Sequence, residues 1–168
     1  TYTETATYQN GEIKVSGVNI ENATFTGNLT VVDSVVDGDI HLTNSAVQGE
    51  LLIKGGGTVY LDGGTYQNIT LEKQGVKIVL LGQATVETLT ARAATNIVVD
   101  NQSKIKTLNV DKAASRTTIT TQENCTIDNI QSRGISDIVL NTPAKLIGFG
   151  SSAGGSTLVS NAVIDKIV

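Results

Sequence analysis

The sequence is poor in the residues that disulfide scaffolds, metal centres and catalytic triads require. Its 168 residues include one cysteine, Cys125, one histidine, His41, and one proline, with no tryptophan and no methionine. A single cysteine excludes an intramolecular disulfide and a cysteine-based metal site. A single histidine excludes most histidine-based metal centres and leaves a Ser/His/Asp triad with one candidate base. We therefore expect no cofactor.

Aromatic and charged residues are also scarce. Aromatic residues make up 4% and charged residues 17% of the chain, whereas hydrophobic residues reach 39%. The core must therefore consist mainly of valine, isoleucine, leucine and alanine. This β-branched, threonine-rich, proline-poor composition favours strands over helices. The length fits one domain, and we assign residues 1–168 to a single domain.

Charge and hydropathy argue against two classes of partner. The net charge is −4 and the isoelectric point about 4.9, whereas nucleic-acid binding needs clustered lysine and arginine. No run of about 18 apolar residues is present, so the sequence predicts no membrane insertion.

Short alternations of apolar residues recur along the chain with a period of about 20 residues. They form three series, named strands A, B and C. The inward residues of strand A are Leu29/Val31, Leu51/Ile53, Ile69/Leu71, Leu89/Ala91, Leu108/Val110 and Ile130/Ser132. Those of strand B are Val18/Ile20, Ile40/Leu42, Val59/Leu61, Ile78/Leu80, Ile97/Val99, Thr117/Ile119 and Ile138/Leu140. Strand C has the single anchors Phe25, Val47, Tyr66, Val86, Ile105, Ile127 and Leu146.

Three series with one shared period predict three short strands per coil, each stacked about 4.8 Å from its equivalent in the next coil. A single coil cannot bury its own apolar side, so stacked coils must share one core. The sequence therefore predicts an all-β fold, a single-stranded right-handed parallel β-helix (solenoid) of about seven to eight coils. We interpret residues 1–12 as a candidate N-terminal strand extension.

The charged residues support this register independently. The residue after strand A alternates in sign in the order Lys54, Glu72, Arg92, Asp111 and Arg133. The outward position after the strand C anchor reads Glu87, Lys106 and Asp128. Opposite charges at cross-strand distance stabilise a sheet by roughly 0.2–1 kcal/mol. We interpret both series as structural ion-pair ladders rather than as catalytic acid–base pairs.

Asparagine is frequent where the coils are expected to turn. Five N-glycosylation sequons occur, and we interpret them as turn residues rather than glycan sites. They start at Asn22, Asn28, Asn68, Asn101 and Asn124.

Residues 40–90 begin with the order strand, asparagine, short valine turn, glycine, strand and triple-glycine loop. The equivalents are Asn44, Val47, Gly49 and residues 55–57. This segment resembles β-helical repeat regions in large surface proteins of Gram-positive bacteria, often those carrying S-layer-homology anchors. The resemblance implies a secreted, envelope-associated protein. The wider pectate-lyase-like superfold, which the predicted fold resembles, also includes polysaccharide-cleaving enzymes.

One acidic loop has some likeness to a calcium-binding loop. Asp33, Asp37 and Asp39 lie between strands A and B in the pattern D-x-x-x-D-G-D. The alternative, which we prefer, is a tight Asp/Gly turn. Lys14 and His41 are the nearby candidate bases, and the coils lack the long insertions from which β-helix enzymes build clefts. We therefore predict no enzymatic activity and assign no catalytic residue.

The outward residues of strand B predict an interaction surface. Most of these positions are apolar, whereas a solvated strand should alternate apolar and polar residues. The series is Asn19, His41, Tyr60, Val79, Val98, Thr118, Val139 and Val159. We assign Tyr60, Val79, Val98, Thr118 and Val139 to partner binding. The alternative is that β-branched residues occur here because they form strands well. Cys125 is interpreted as a small buried residue.

Three functions remain open from the sequence. The first is a non-catalytic structural or adhesive module of a bacterial cell-surface protein, acting as a stiff spacer or contact surface. The second is a self-assembling filament subunit that stacks end to end. The third is a polysaccharide-binding or polysaccharide-cleaving β-helix. The expected location is extracellular, and the expected partners are other envelope proteins, cell-wall or extracellular glycan, or copies of the chain itself.

Overall fold

The computed structural model describes residues 5–122, 124–140, 145–151, 154–160 and 163–167. These residues form a parallel β-solenoid of about 7 turns with about 19 residues per turn. The all-β parallel solenoid fold predicted from the period is therefore confirmed. The one described helix is the short 3-10 helix η1 (Lys112–Ala114), and no described helix is a candidate for spanning a membrane.

The strands form two sheets. An 11-stranded sheet, the long-strand sheet, consists of β1 (Ala6–Tyr8), β2 (Gly11–Ile13), β4 (Ala23–Phe25), β5 (Leu29–Val31), β7 (Ala46–Ile53), β9 (Thr65–Leu71), β11 (Thr85–Ala91), β13 (Lys104–Val110), β15 (Thr126–Ser132), β17 (Lys145–Ser151) and β19 (Val163–Ile167). An 8-stranded sheet, the short-strand sheet, consists of β3 (Val18–Glu21), β6 (Asp39–Thr43), β8 (Thr58–Asp62), β10 (Lys77–Leu81), β12 (Asn96–Val99), β14 (Thr117–Thr121), β16 (Ser136–Leu140) and β18 (Thr157–Ser160). Neighbouring strands are parallel, because each strand pairs with its equivalent one coil later.

From β7 onward, the predicted strands C and A form two parts of one longer strand. In β9, Tyr66 and Asn68 pair with Val86 and Thr88 of β11, and Gln67 between them is skipped. Gln67 and Asn68 are both exposed, so the alternation of inward and outward side chains is interrupted there. The chain thus turns from the C side to the A side without leaving the sheet.

The predicted inward residues form one continuous core. Those of strand A from Leu29 to Ser132 and the strand C anchors from Phe25 to Ile127 are buried. Strand B is buried from Ile40 to Ile138, and in the first coil Val18 and Ile20 pack against the core while only partly buried. The side chains of Leu140 and Leu146 lie outside the described part.

The predicted register of strand B was wrong in one coil. The prediction set Thr117 opposite Ile97, but in the structure Ile119 pairs with Ile97 and Thr121 with Val99. Helix η1 and the turn at Arg116, whose φ is 75°, lengthen the connection before β14. A slip of two residues keeps the same side chains facing inward, so the apolar pattern cannot detect it.

The first coil begins near the N-terminus. Strand β1 pairs with β4, and β2 pairs with β5, in the same parallel register as the later coils. Residues 6–13 therefore stack on the coil that follows. The rest of the predicted N-terminal extension, residues 1–4, lies outside the described part.

The structure records ion pairs at three links of the predicted charge ladders. Arg92 Nη1 lies 3.4 Å from Glu72 Oε1, and Arg92 Nε lies 4.0 Å from Asp111 Oδ2. Lys106 Nζ lies 2.6 Å from Glu87 Oε1. The hydrogen bond to Glu87 raises the pKa of Lys106, and the charges of Glu87 and Asp128 add to this. These groups are substantially exposed, so each pair contributes little to stability.

Candidate functional site

The predicted interaction surface lies on the outer face of the short-strand sheet. Its central column, here called the lateral column, stacks one side chain per coil through the register of β3, β6, β8, β10, β12, β14 and β16. Its members are Asn19, His41, Tyr60, Val79, Val98, Thr120 and Val139. Val159 of β18 follows Val139 in register, and its side chain lies outside the described part.

The assignment of Thr118 to this column was wrong. Thr118 pairs with Asn96, and Thr120 pairs with both Val98 and Val139. The cause is the two-residue slip in β14. Tyr60, Val79, Val98 and Val139 occupy the predicted positions.

Side chains of the lateral column partly cover one another. The rings of His41 and Tyr60 are stacked, with centroids 4.5 Å apart and planes 7° apart. Tyr60, Val79 and Val98 are half-buried, whereas Val139 is 36% exposed. The column therefore forms a narrow apolar ridge rather than a wide apolar patch.

The columns that flank this ridge on both sides are polar except at Leu81. On one side the residues are Asp39, Thr58, Lys77, Asn96, Thr118 and Asp137. On the other side Glu21, Thr43, Asp62 and Leu81 follow one another in register. An apolar centre with a polar rim is the usual anatomy of a protein–protein contact. The role of the ridge in partner binding stays a prediction.

The acidic loop has the geometry of a turn. Asp33, Asp37 and Asp39 are exposed, and Asp37 Oδ1 accepts a hydrogen bond of 2.7 Å from the amide of Gly38, whose φ is 96°. The carbonyl of Asp39 accepts a hydrogen bond from Gly17 N at 2.8 Å. No group of three potential metal ligands is present among the described residues. The hydrogen bond and the φ of Gly38 give this loop the geometry of a tight Asp/Gly turn, and its lack of calcium binding stays a prediction.

Two buried titratable side chains lie in the core. Cys125 is fully buried, as predicted, and burial raises the pKa of its thiol. Tyr66 is also buried, and its hydroxyl has no hydrogen-bond partner in the described part of the chain. Burial raises the pKa of the Tyr66 hydroxyl, and the nearby Asp62 carboxylate adds to this. Neither group is accessible to a large substrate.

A second candidate site, missed by the sequence reasoning, lies at the corner that joins the two sheets. A cleft of about 440 Å³ is lined by Gln83, Thr85, Gln102, Lys104 and Asn124. Each lining residue is exposed. The interval from strand B to strand C held a signal for this corner, because it is five residues from Leu61 to Tyr66 and six residues from Leu80 to Val86.

The added residue is Gln83 in one coil, Gln102 in the next and Asn124 in the third. Two residues separate Asp62 from Thr65, whereas three residues separate Leu81 from Thr85, their partners in the next coil. The extra residues have left-handed backbone conformations, with φ values of 63°, 59° and 55°. We call these three side chains the carboxamide corner.

Four of the five sequon asparagines lie outside strands at turns, whereas Asn68 lies within β9. Asn22, Asn101 and Asn124 have φ values of 54°, 51° and 55°. Asn28 Oδ1 accepts a hydrogen bond of 2.9 Å from Glu50 N in the next coil. The prediction that asparagines shape the turns is confirmed for these positions.

Comparison with known proteins gives no relative for this chain: no family model, no curated protein and no solved structure matches it.

Proposed function

We propose that this chain is a non-catalytic structural or adhesive module of a bacterial cell-surface protein, acting as a stiff spacer or contact surface. The observation that supports this most is the parallel register, which continues from β1 to β19 in one sheet and from β3 to β18 in the other. Each coil is joined to the next by two ladders of backbone hydrogen bonds and by a shared core. Such a stack resists bending.

The cell-surface location is supported by the resemblance of residues 40–90 to surface-protein repeats. The structure gives a physical reason for the glycines of this segment. A Cβ atom at Gly49 would clash with the carbonyl of Gly27, and one at Gly55 would clash with the carbonyl of Val32. Glycine is therefore required where turns of successive coils approach one another.

Force spectroscopy tests the spacer role. The chain is held at both ends and extended, and we expect coils to peel off successively, with length increments of about 19 residues. Unfolding in one step at low force would contradict the spacer role. Antibody labelling of intact and lysed cells of the source organism tests the location, and labelling seen only after lysis would contradict it.

Light scattering tests the contact surface. Val98→Lys combined with Val139→Lys places two charges on the lateral column and should abolish any lateral association while the fold is retained. Thr58→Lys combined with Thr118→Lys, on the flanking polar column, is the matched control. A parent protein that stays monomeric at high concentration would contradict lateral self-association.

End-to-end assembly is the second candidate function. In the described part, the sheets end at β1, β2 and β3 on one side and at β19 and β18 on the other, and each of these strands has one paired and one unpaired edge. Unpaired strand edges are templates for further strands, and a head-to-tail contact between copies produces a filament. Electron microscopy at several concentrations should show filaments, and deletion of residues 1–9 should abolish them while the core stays folded. Fibres that persist after this deletion would contradict strand exchange through β1.

A further inference from the structure

The carboxamide corner repeats a local insertion over three successive coils. Between the two sheets, earlier coils turn with two residues, such as Gly63 and Gly64, and these three coils turn with three. The added residue carries a carboxamide each time. Because coils stack in register, Gln83, Gln102 and Asn124 form a row along the solenoid axis with a spacing of about 4.8 Å.

Gln83 and Gln102 occupy a backbone conformation that glutamine disfavours, whereas asparagine, as at Asn124, tolerates it better. A residue other than glycine in the left-handed region costs of order 1–3 kcal/mol, and glycine adopts the same φ without this penalty. Glycine occupies the corner of the preceding coil, where Gly63 and Gly64 have φ values of 71° and 87°. Gln83 and Gln102 are exposed, so burial does not compensate for the strain.

Among the described residues, the carboxamides of this corner have no side-chain hydrogen-bond partner of the kind seen in an earlier coil. In an earlier coil, Asn44 Nδ2 donates a hydrogen bond of 2.9 Å to Asn22 Oδ1 of its neighbour. Within the described residues, the side chains of Gln83, Gln102 and Asn124 make no such bond. Their hydrogen-bonding capacity is therefore directed to the cleft and to solvent.

The backbone beneath the row is fixed. The residue after each carboxamide is fully buried, namely Ala84, Ser103 or Cys125. Ala84 N donates to Ser103 Oγ of the next coil at 3.1 Å, and Ser103 N donates to the carbonyl of Asp100 at 3.1 Å. A rigid support of this kind reduces the entropy lost on binding.

We propose that the carboxamide corner binds a linear oligosaccharide that lies along the solenoid axis. A carboxamide both donates and accepts hydrogen bonds, as sugar hydroxyls do, and a chain of sugars presents them at regular intervals. The cleft also contains the hydroxyl of Thr85 and the ammonium of Lys104. The described lining residues include no aromatic or aliphatic side chain to anchor a peptide, and the single lysine among them is insufficient for nucleic acid. This binding does not depend on the spacer role.

Nuclear magnetic resonance titration of the full chain tests this proposal. The probes are cellohexaose, the hexamer of N-acetylglucosamine, an oligogalacturonate and a polar peptide of alternating serine and glycine. We expect at least one oligosaccharide to shift the side-chain amide signals of Gln83, Gln102 and Asn124. Preference for the oligogalacturonate would assign Lys104 to a carboxylate, and Lys104→Gln should then remove the preference.

The variant Gln83→Gly combined with Gln102→Gly separates binding from folding. Loss of two ligand hydrogen bonds should weaken oligosaccharide binding about tenfold. The thermal midpoint should stay equal or rise, because glycine relieves the left-handed strain. Asn44→Gly is the matched control, since it changes a left-handed carboxamide outside the cleft and should leave binding unchanged.

Three results would overturn the proposal. They are no binding of any oligosaccharide by the parent chain, equal binding by the parent and the double glycine variant, and binding of the peptide in place of the sugars.

Discussion

Residues 39–90 and residues 91–138 have the same parallel register, but their cores differ in chemistry. The inward column of the short-strand sheet contains Leu42, Leu61 and Leu80 in the first region, and Val99 and Thr121 in the second. In the long-strand sheet, Ile53 and Leu71 are followed by Ala91, Val110 and Ser132. In these two columns, large aliphatic side chains thus give way to smaller or hydroxyl-bearing ones, whereas other columns of the second region keep isoleucine and leucine.

In the second region, several buried hydroxyl groups form hydrogen bonds with backbone groups of the turns or with one another. Thr117 Oγ1 accepts a hydrogen bond from Thr95 N at 3.3 Å and donates one to the carbonyl of Ala114 at 2.7 Å. Ser132 and Ser136 share a hydrogen bond of 2.7 Å between their hydroxyls. The backbone ladders specify the fold in both regions, and hydrogen bonds offset the cost of burying these particular hydroxyls.

The largest expected effect on stability comes from placing a hydroxyl-bearing side chain, of the kind that the second region buries, in the core of the first region. Leu61→Thr places the residue type of Thr121 in the same inward column, three coils before Thr121. We expect a loss of about 2–5 kcal/mol in the free energy of unfolding, from the cavity and from the buried hydroxyl. Chemical denaturation measures it, with Leu61→Met as the volume-conserving control at a cost below about 1.5 kcal/mol. Equal stability of Leu61→Thr and the parent would show that the two cores are interchangeable.

A smaller effect tests whether the hydroxyls of the second region need their partners. Thr117→Val keeps the volume but leaves Thr95 N and the carbonyl of Ala114 without that hydroxyl, at a cost of about 1–3 kcal/mol. Thr95→Val is the control, because the hydroxyl of Thr95 is buried without a partner in the described part of the chain. This control should be neutral or stabilising in the same denaturation experiment. If both variants lose equal stability, hydrogen bonding is not the reason for the hydroxyls.

The ion-pair ladder joins the two regions at Arg92, between Glu72 and Asp111. Arg92→Glu would place three carboxylates in succession and should reduce the free energy of unfolding by about 1 kcal/mol. High salt should shrink this loss, because the Arg92 side chain is 57% exposed. Arg92→Gln is the control that removes the pairs without adding repulsion. A loss that is independent of salt would argue against the ladder.

The smallest effect concerns the buried hydroxyl of Tyr66 in the first region. Tyr66→Phe should be neutral or raise the free energy of unfolding by up to about 1 kcal/mol, because the hydroxyl is unpaired in the described part. Since burial raises the pKa of Tyr66 in the folded chain, the folded state holds the proton more tightly than the unfolded state. Its contribution to stability is complete below about pH 10 and is lost as the pH rises above that value.

Unfolding experiments at alkaline pH measure this difference. The Tyr66→Phe variant should lose less stability than the parent above about pH 10. Tyr60→Phe is the control, because Tyr60 lies half-buried on the lateral column. Identical alkaline profiles for the parent and Tyr66→Phe would contradict the raised pKa.

Much of the fold could be predicted because each coil repeats the same burial requirement. The positions of Leu51, Ile69 and Leu89 follow from alternation and period alone, and the structure pairs them in that register. The slip at Thr117 could not be predicted, since a shift of two residues preserves the inward face. The carboxamide corner was missed because one extra turn residue changes the spacing between strands B and C by a single residue and leaves the apolar alternation within each strand unchanged.

The sequence by itself determined the solenoid, its inward residues and the alternating charges, because these properties depend on periodic local choices of residue type. Only the tertiary structure decided which residues of successive coils lie side by side. It placed Thr120 in the lateral column, stacked His41 on Tyr60 and aligned Gln83, Gln102 and Asn124 along one corner. These contacts depend on where each turn ends and strand pairing begins, and hydrophobic alternation alone does not fix that register.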